Sequence, residues 1–471
     1  MNLTPEISAR INRVFESQKA TALTLRRSSV ASRIAKLKRL REEILNRREA
    51  IVEAAALDFN RPVMEVDFTE MMPVLVEISD CCRHLKKWMK PRKVRATLAM
   101  LGTRSWVRYE PRGRCLIIAP WNYPVTLTLG PLVPAVASGN TAMIKTSEVA
   151  PHFSKVLVEI VEAVFDENEV AIFEGDAEVA TALLELPFDH CFFTGSPQIG
   201  KIVMEKAAAN LTSVTLELGG KSPVVVDETA DLDLAAKTIV WGKYINTGQT
   251  CIAPDHLFVQ RSVYEPFMER VKQHLREWYG DGDAGLQAQL SRSINERHAA
   301  RVAHLLDDAV KRGGKVVFGG HVDVEQKFIA PTVLADVPPD AEVMQEEIFG
   351  SLLPVMPFDS LTAVIDQINE GPKPLAMYIW SKSRENCDLL VESTSSGAVC
   401  INHVAVHFLH SNLPFGGVNN SGIGSYHGEW GIKAFSHERA VLKTQVNTTK
   451  WFFPPYSERI SRILTKALRY L

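Results

Sequence analysis

The chain has 471 residues, of which 46% are apolar and 23% charged. That length holds about three domains at roughly 150 residues each, and the balance is that of a globular chain able to bury large cores, which excludes disordered and collagen-like classes. With 53 Lys and Arg against 55 Asp and Glu the net charge is -2, so nothing global favours nucleic acid or a membrane surface as partner.

The N-terminus, Met-Asn-Leu-Thr-Pro-Glu, lacks the basic flank and apolar stretch of a signal peptide. The seven cysteines are odd in number and include no CxxC pair. This usage suits a reducing compartment, excludes a disulfide scaffold and gives no metal site to predict; the expected location is cytoplasmic. The first ninety residues read as helices, with Ile34, Leu37, Leu40 and Ile44 at the spacing of an amphipathic surface helix. Residues 115–144 form a 30-residue run without a charge, long enough to span a bilayer. It contains Pro120, Pro124, Pro131 and Pro134 with Asn122, Gly130, Gly139 and Asn140. No continuous spanning helix tolerates those breakers. The run therefore reads as a buried strand, turn, helix and strand.

From Arg114 onward short apolar runs alternate with longer amphipathic ones. The pattern predicts strands at 115–119, 141–144, 170–173, 190–193 and 223–226, and helices at 151–165 and 199–209. Such alternation implies a parallel sheet covered on both faces. A second alternating region begins near Leu218, with helices at 235–246, 262–278 and 296–312, strands at 315–318 and 397–401, and loops at 279–285 and 416–428. The fold class is α/β, two such domains with a smaller extension.

Two nucleotide motifs fail on context. Gly280-Asp281-Gly282-Asp283-Ala284-Gly285 matches G-x-G-x-x-G, but it follows a helix pattern and sets two Asp where a pyrophosphate would approach. It reads as a surface turn. Gly195 to Ile202 is a near-miss to the P-loop, with Ile202 where a magnesium-binding hydroxyl belongs. What survives is a strand entering Thr194-Gly195-Ser196 and a helix beginning at once, a place for a diphosphate. The plainer alternative is an ordinary turn capped by Ser196.

Cys251, in Asn246-Thr247-Gly248-Gln249-Thr250-Cys251, sits on a polar, glycine-containing loop after an apolar helix pattern. It is the candidate nucleophile, whereas Cys81, Cys82, Cys191 and Cys400 read as small core residues. Glu217 ends an apolar run before Gly219-Gly220, where burial would raise its pKa toward that of a working base; a salt bridge to Lys221 is the alternative. Asn122, between Pro120 and Pro124, is either an oxyanion donor alongside the Cys251 N–H or a turn residue.

The motifs Pro-Trp-Asn-Tyr-Pro (120–124), Phe-Thr-Gly-Ser (193–196), Leu-Glu-Leu-Gly-Gly-Lys-Ser-Pro (216–223), Gly-Gln-Thr-Cys (248–251), Glu-Glu-Ile-Phe-Gly (346–350) and Pro-Phe-Gly-Gly-Val (414–418) occur in this order. Over residues 10 to 440 the chain resembles the aldehyde dehydrogenase superfamily. Trp241-Gly242-Lys243, Cys251 to Asp255 and Ser425 to Gly428 resemble its class 3 branch of dimeric aryl and fatty aldehyde dehydrogenases.

The resemblance implies a Rossmann-like NAD-binding domain (1–90 and 111–217), a catalytic domain (218–410), bridging and oligomerisation segments (91–110 and 411–449) and an amphipathic tail (450–471). It implies NAD(P)-dependent oxidation of aldehydes to acids, with Cys251 as nucleophile, Glu217 as base and Asn122 as oxyanion donor. Trp121, Lys145, Glu148, Gly195, Ser196, Gly200, Glu347 and Phe349 would hold the cofactor, and Tyr123, Trp241, Phe415 and His427 the substrate. Glu148 favours NAD over NADP by repelling a 2′-phosphate. Departures from the family pattern are Thr146 after the cofactor lysine, Ser351 after Gly350 and His403 after Asn402. A CoA-acylating enzyme would be expected to lack Glu217, and a non-catalytic protein on this fold to lack Cys251, Glu217 or Asn122. The implied partners are an aldehyde, on a medium- or long-chain aliphatic or an aromatic frame, and a second copy of the chain.

In the tail, Ser457 is positioned to cap a helix with Ile460, Ile463, Leu464, Ala467, Leu468 and Leu471 on one stripe and Arg459, Arg462, Lys466 and Arg469 on the other face. Three readings stand: packing on the chain's own surface, a peripheral membrane contact, or, by resemblance to fatty aldehyde dehydrogenases, a gatekeeper over the partner subunit's substrate funnel.

Overall fold

The uncharged run organises the first half of the molecule. In the computed structural model, which describes residues 3–97, 100–280 and 290–469, it forms a strand, Arg114–Ile118, a helix, Pro124–Ser138, and a strand, Thr141–Lys145. Pro124 opens the helix and Gly139 ends it at φ 89°, the places where a missing N–H and a missing Cβ cost least. Every residue of this helix is buried, as an all-round apolar helix must be. Arg33 satisfies its last carbonyls, donating to Ala137 O (3.1 Å) and Ser138 O (2.7 Å). No helix among the described residues is long and apolar enough to cross a membrane.

Two large sheets carry the α/β fold. The six-stranded sheet runs Gly422–Ile423, Ser213–Glu217, His190–Thr194, Arg114–Ile118, Thr141–Lys145, Val170–Phe173. It is parallel except for the first strand. The seven-stranded sheet runs Lys315–Phe318, Thr332–Ala335, Leu352–Phe358, His256–Gln260, Pro223–Val226, Ala376–Trp380, Ala398–Ile401, parallel except for Lys315–Phe318. Arg92–Val94, Thr103–Pro111 and Ser436–Thr444 form a separate antiparallel arm. The early helix Val30–Asn46 buries Leu37, Leu40 and Ile44 against the helices Met72–Trp88, Pro124–Ser138 and Pro151–Val164.

The expected elements shift only at their ends, with two exceptions. The helix expected to reach 246 stops at Tyr244, because Asn246 and Thr247 are left-handed (φ 49° and 56°). The loop at 416–428 contains the strand Gly422–Ile423, which pairs with Ser213–Glu217. Gly280 caps the helix Tyr264–Tyr279; the rest of the rejected fingerprint, 281–285, lies outside the described residues.

The tail corrects one expectation. Glu458–Ala467 is helical, yet Ser457 makes no side-chain cap hydrogen bond and no residue of the helix is buried. Ile463, Leu464 and Leu468 are 55%, 43% and 63% exposed. Packing on the chain's own surface is therefore overturned, because the apolar stripe meets no core. Leu471 lies outside the described residues.

One buried ion pair ties the N-terminal helices to the rest. Arg61 Nη1 lies 2.6 Å from Glu70 Oε1, and both side chains are 0% exposed. Arg61 Nη2 donates to Asn122 O (2.7 Å) and Asn246 Oδ1 (2.8 Å). Glu70 Oε2 accepts from the N–H groups of Val125 (3.0 Å) and Thr126 (3.1 Å) at the positive end of the buried helix. Removing one partner strands the other's charge in a dry interior. Arg61→Ala is expected to cost about 3–5 kcal/mol, read as a lower urea midpoint, with Arg61→Lys between it and wild type. An unchanged midpoint for Arg61→Ala would contradict this role.

Candidate active site

Cys251 is placed by a strained loop. Asn246, Thr247 and Gly248 are successive left-handed residues (φ 49°, 56° and 75°), a conformation natural for glycine and costly for a β-branched residue. Hydrogen bonds over-determine it. Asn246 Nδ2 donates to Asn122 O (3.0 Å) and Gln249 O (3.2 Å). Gln249 Nε2 donates to Arg292 O (3.0 Å), and its Oε1 accepts from Ile294 N (3.0 Å). A Cβ on Gly248 would lie 2.3 Å from Gly350 O, so only glycine lets the two backbones touch.

The loop sets Cys251 half-buried between two cavities, and Leu127 is the other residue that lines both. The first, about 640 Å³, is walled by Phe68, Leu127, Trp241, Ile245, Val406, Phe408 and Leu409 among others. Its hydroxyls are already engaged. Tyr123 OH bonds Thr250 Oγ1 (2.6 Å), Thr126 Oγ1 donates to Thr69 O (2.8 Å), and Thr69 Oγ1 donates to Glu65 O (2.6 Å). The second, about 810 Å³, is lined by Trp121, Asn122, Gly195, Ser196, Glu217, Gly219, His298, Arg301, Glu347 and Phe349. It opens where residues 120–122 leave Arg114–Ile118 and residues 195–196 leave the neighbouring His190–Thr194. Further strands extend in opposite directions from this pair, so the cleft lies at the topological switch point of the parallel sheet.

Ser196 is the N-cap of Pro197–Ala209, its Oγ accepting from Ile199 N (3.4 Å). The capped turn stands at the wall of the polar cleft. Gly200 lines neither cavity; it faces inward, where a Cβ would meet Leu218 at 2.7 Å. Lys145 Nζ and Glu148 Oε2 pair with each other (2.6 Å) just past the strand Thr141–Lys145 and outside the cleft lining. Phe349 meets Trp121 edge to face at 5.4 Å.

Burial governs the titrating groups. Glu217 ends Ser213–Glu217, and neither carboxyl oxygen has a hydrogen-bond partner among the described residues. Burial pushes its pKa far above the carboxylate range. Lys221, the alternative partner for Glu217, pairs instead with Asp255 at 2.5 Å. The Cys251 thiol is pushed up by burial and then by Glu347 and Glu217, against the N–H groups of Cys251 and Ile252 that favour the thiolate. Glu347 is raised to about 8 by burial and by Asp255. Asn122 is buried with Nδ2 on Gln249 O (3.0 Å), and an amide nitrogen has a second hydrogen to donate.

Tyr123 and Trp241 line the apolar cavity, but Phe415 and His427 do not. They pack behind Phe408 at 5.0 and 4.8 Å, so the ring that meets the cavity is Phe408. Sequence reasoning also missed His298 and Arg301. They sit in Glu296–Lys311, where a basic helix face looks like any solvated one. The Trp121 ring, 4.8 Å from the His298 ring, shows which face turns inward.

The aldehyde dehydrogenase family model matches residues 5–441. AldX of Bacillus subtilis (strain 168) is 46% identical over 433 residues, covering 92% of this chain and 97% of that protein. Aldehyde dehydrogenase family 3 member A2 of Pongo abelii is 39% identical over 429 residues, 90% and 87% of the two chains. Among solved structures, the substrate-bound state of Staphylococcus aureus AldH superposes with a TM-score of 0.92 at 37% identity, covering 99% of each chain.

The raised thiol makes a checkable statement. Iodoacetamide alkylation of Cys251, read by mass spectrometry of the peptide, is expected to be slow near pH 7 and to accelerate well into the alkaline range, since only the thiolate reacts. Glu347→Gln removes a negative neighbour and is expected to speed alkylation above about pH 8, where wild-type Glu347 ionises. A rate already level near pH 7 would contradict the reading.

Proposed function

The chain belongs to the aldehyde dehydrogenase family, a family of oxidoreductases, and on that premise we propose that it oxidises apolar aldehydes to carboxylic acids with NAD(P) through covalent intermediates on Cys251. One observation supports this most: Cys251 stands where an apolar cavity meets a polar cleft at a sheet switch point. The cleft fits a dinucleotide. The N-terminus of Pro197–Ala209 faces a diphosphate position, and Gly219 lets the Glu347 carboxylate come within 2.1 Å of where a Cβ would be. When bound, the nicotinamide supplies the hydride acceptor. Trp121, Gly195 and Ser196 would hold the cofactor's diphosphate, Glu347 and Phe349 the nicotinamide ribose and ring, and Lys145 and Glu148 the adenosine ribose. Glu148 disfavours a 2′-phosphate, so NAD is the preferred form.

Cys251 Sγ gives up its S–H proton to solvent and bonds the aldehyde carbon, and the carbonyl oxygen, now the thiohemiacetal oxyanion, is received by Asn122 Nδ2 and the Cys251 N–H. Once the carbinol C–H bond has given up its hydride to the acceptor that the bound cofactor would supply, an acyl thioester remains on Sγ. Glu217 then takes a proton from water as it attacks the acyl carbon, and Sγ departs. The sign of the pH effect follows. A base whose pKa is raised is ionised only as pH rises, so deacylation speeds up toward alkaline pH.

The substrate reading rests on the cavity wall. With its threonine donors turned to backbone carbonyls and Tyr123 paired with Thr250, the wall offers mainly methyl and ring surface, which suits an aliphatic or aryl group. The exposed apolar stripe of Glu458–Ala467, with Leu442 and Val446 at 53% and 61% exposure, is surface that a second copy would cover in a homodimer. The tail lines neither cavity of its own chain; as a gatekeeper it would act on the partner.

Cys251→Ala is expected to abolish NADH production while NAD binding persists. Glu217→Gln is expected to retain a burst of NADH, slow steady turnover by roughly 10²–10⁴ and flatten its rise with pH; loss of the burst would move Glu217 to thiol activation. Truncation after Phe453 is expected to raise KM for long-chain aldehydes and spare propanal. An equal effect on both would count as simple destabilisation and end the gatekeeper reading.

A further inference from the structure

Glu347 projects from a loop with no regular structure of its own, between Glu342–Gln345 and Leu352–Phe358. Two buried charges hold that loop from within. Lys221 Nζ, 2.5 Å from Asp255 Oδ1, donates to Val343 O and Glu346 O, both at 2.9 Å. The other oxygen, Asp255 Oδ2, accepts from Ile348 N at 3.0 Å. The pair therefore grips the residue before Glu347 and the residue after it. His256 Nδ1 sits 3.1 Å from Asp255 Oδ1, which leaves Oδ2 to the loop. The Asp255 side chain is 4% exposed and that of Lys221 13%, and an ion pair this dry keeps one geometry. From the cleft side Arg301 donates to Glu346 Oε1 (2.8 Å), Glu347 O (3.3 Å) and Ile348 O.

We infer that Asp255, braced by Lys221, is a positioning residue that fixes the loop of Glu347 and Phe349, and so sets the affinity of the cleft for the nicotinamide half of the cofactor. It touches neither cavity lining, so it acts through Glu347 and Phe349. The inference rests on the dinucleotide reading of the cleft. Its physical basis is that a group held within a few tenths of an ångström binds without an ordering cost, and releasing the loop restores that cost. Burial opposes ionisation of Asp255, yet Lys221 and the His256 hydrogen bond hold its carboxyl well below the usual range, so the grip on Ile348 persists through neutral and mildly acidic pH.

The test is NAD binding to the full chain without aldehyde, followed by quenching of protein fluorescence. Asp255→Ala is expected to weaken NAD binding by about tenfold or more and to speed amide hydrogen exchange at Ile348. KM for NAD should rise with it, while KM for a short aldehyde stays near wild type. Asp255→Asn, which keeps an oxygen for Ile348, should recover part of the affinity. A folded Asp255→Ala protein with wild-type NAD affinity overturns the inference, as does an equal rise in both KM values. If that variant does not fold, Lys221→Met decides in its place: it removes the ammonium from the Val343 and Glu346 carbonyls but keeps the stem, and unchanged NAD affinity there overturns the inference too. Failure of the wild-type chain to bind either NAD or NADP would be a different result, against the dinucleotide reading itself.

Discussion

The arrangement around Cys251 depends on the buried pair of Arg61 and Glu70. Arg61 holds both Asn122 and Asn246, and Glu70 receives the first N–H groups of the buried helix that follows Asn122. A planar guanidinium can serve three acceptors in fixed directions, which an ammonium cannot. The proposed oxyanion donor, the left-handed turn before the nucleophile and the helix that separates the two cavities thus share one origin. Burial raises the Glu70 pKa even beside Arg61, so the pair is costly to bury, and the hydrogen bonds to both groups offset part of that cost.

Around that frame the molecule separates two environments within a few ångströms of one sulfur. On one side, Tyr123 pairs with Thr250 and the other threonine hydroxyls donate to backbone carbonyls, leaving mainly methyl and ring surface. On the other, helix ends, Glu217, Glu347 and Arg301 face a polar cleft. The same low dielectric that makes the first side apolar raises the pKa of Cys251 and Glu217. Both groups are thus biased toward their neutral forms, and the thiolate is the form of the thiol open to oxidation.

The cofactor side is steadied at longer range. Lys221 lies four residues after Glu217 and Asp255 four after Cys251, so the charges bracing the loop of Glu347 come from the connections that carry the proposed base and nucleophile. Three segments distant in sequence are joined in this way by charge-assisted hydrogen bonds.

Much of this was legible in the sequence. Breakers within an uncharged run ruled out a spanning helix, because backbone groups freed by proline cannot go unsatisfied in lipid. Strand and helix alternation gave the parallel sheets, since a strand buried on both faces has to be continuously apolar. Glu217 and Asn122 stood out as polar residues at fixed points in apolar runs, costly unless used, and Cys251 as a cysteine on a polar, glycine-containing loop. Other features were decided only in three dimensions. Lys221 turned to Asp255 because the strand Pro223–Val226 lies beside His256–Gln260, a neighbour no local pattern discloses. Phe408 took the place expected of Phe415 and His427, and His298 and Arg301 joined the cleft, because side-chain direction on a loop or a basic helix face is set by what packs against it. The tail's apolar stripe was readable from its period, but its lack of any partner within this chain was not. Periodicity records which residues need burial, and only tertiary structure records whether the same chain supplies it.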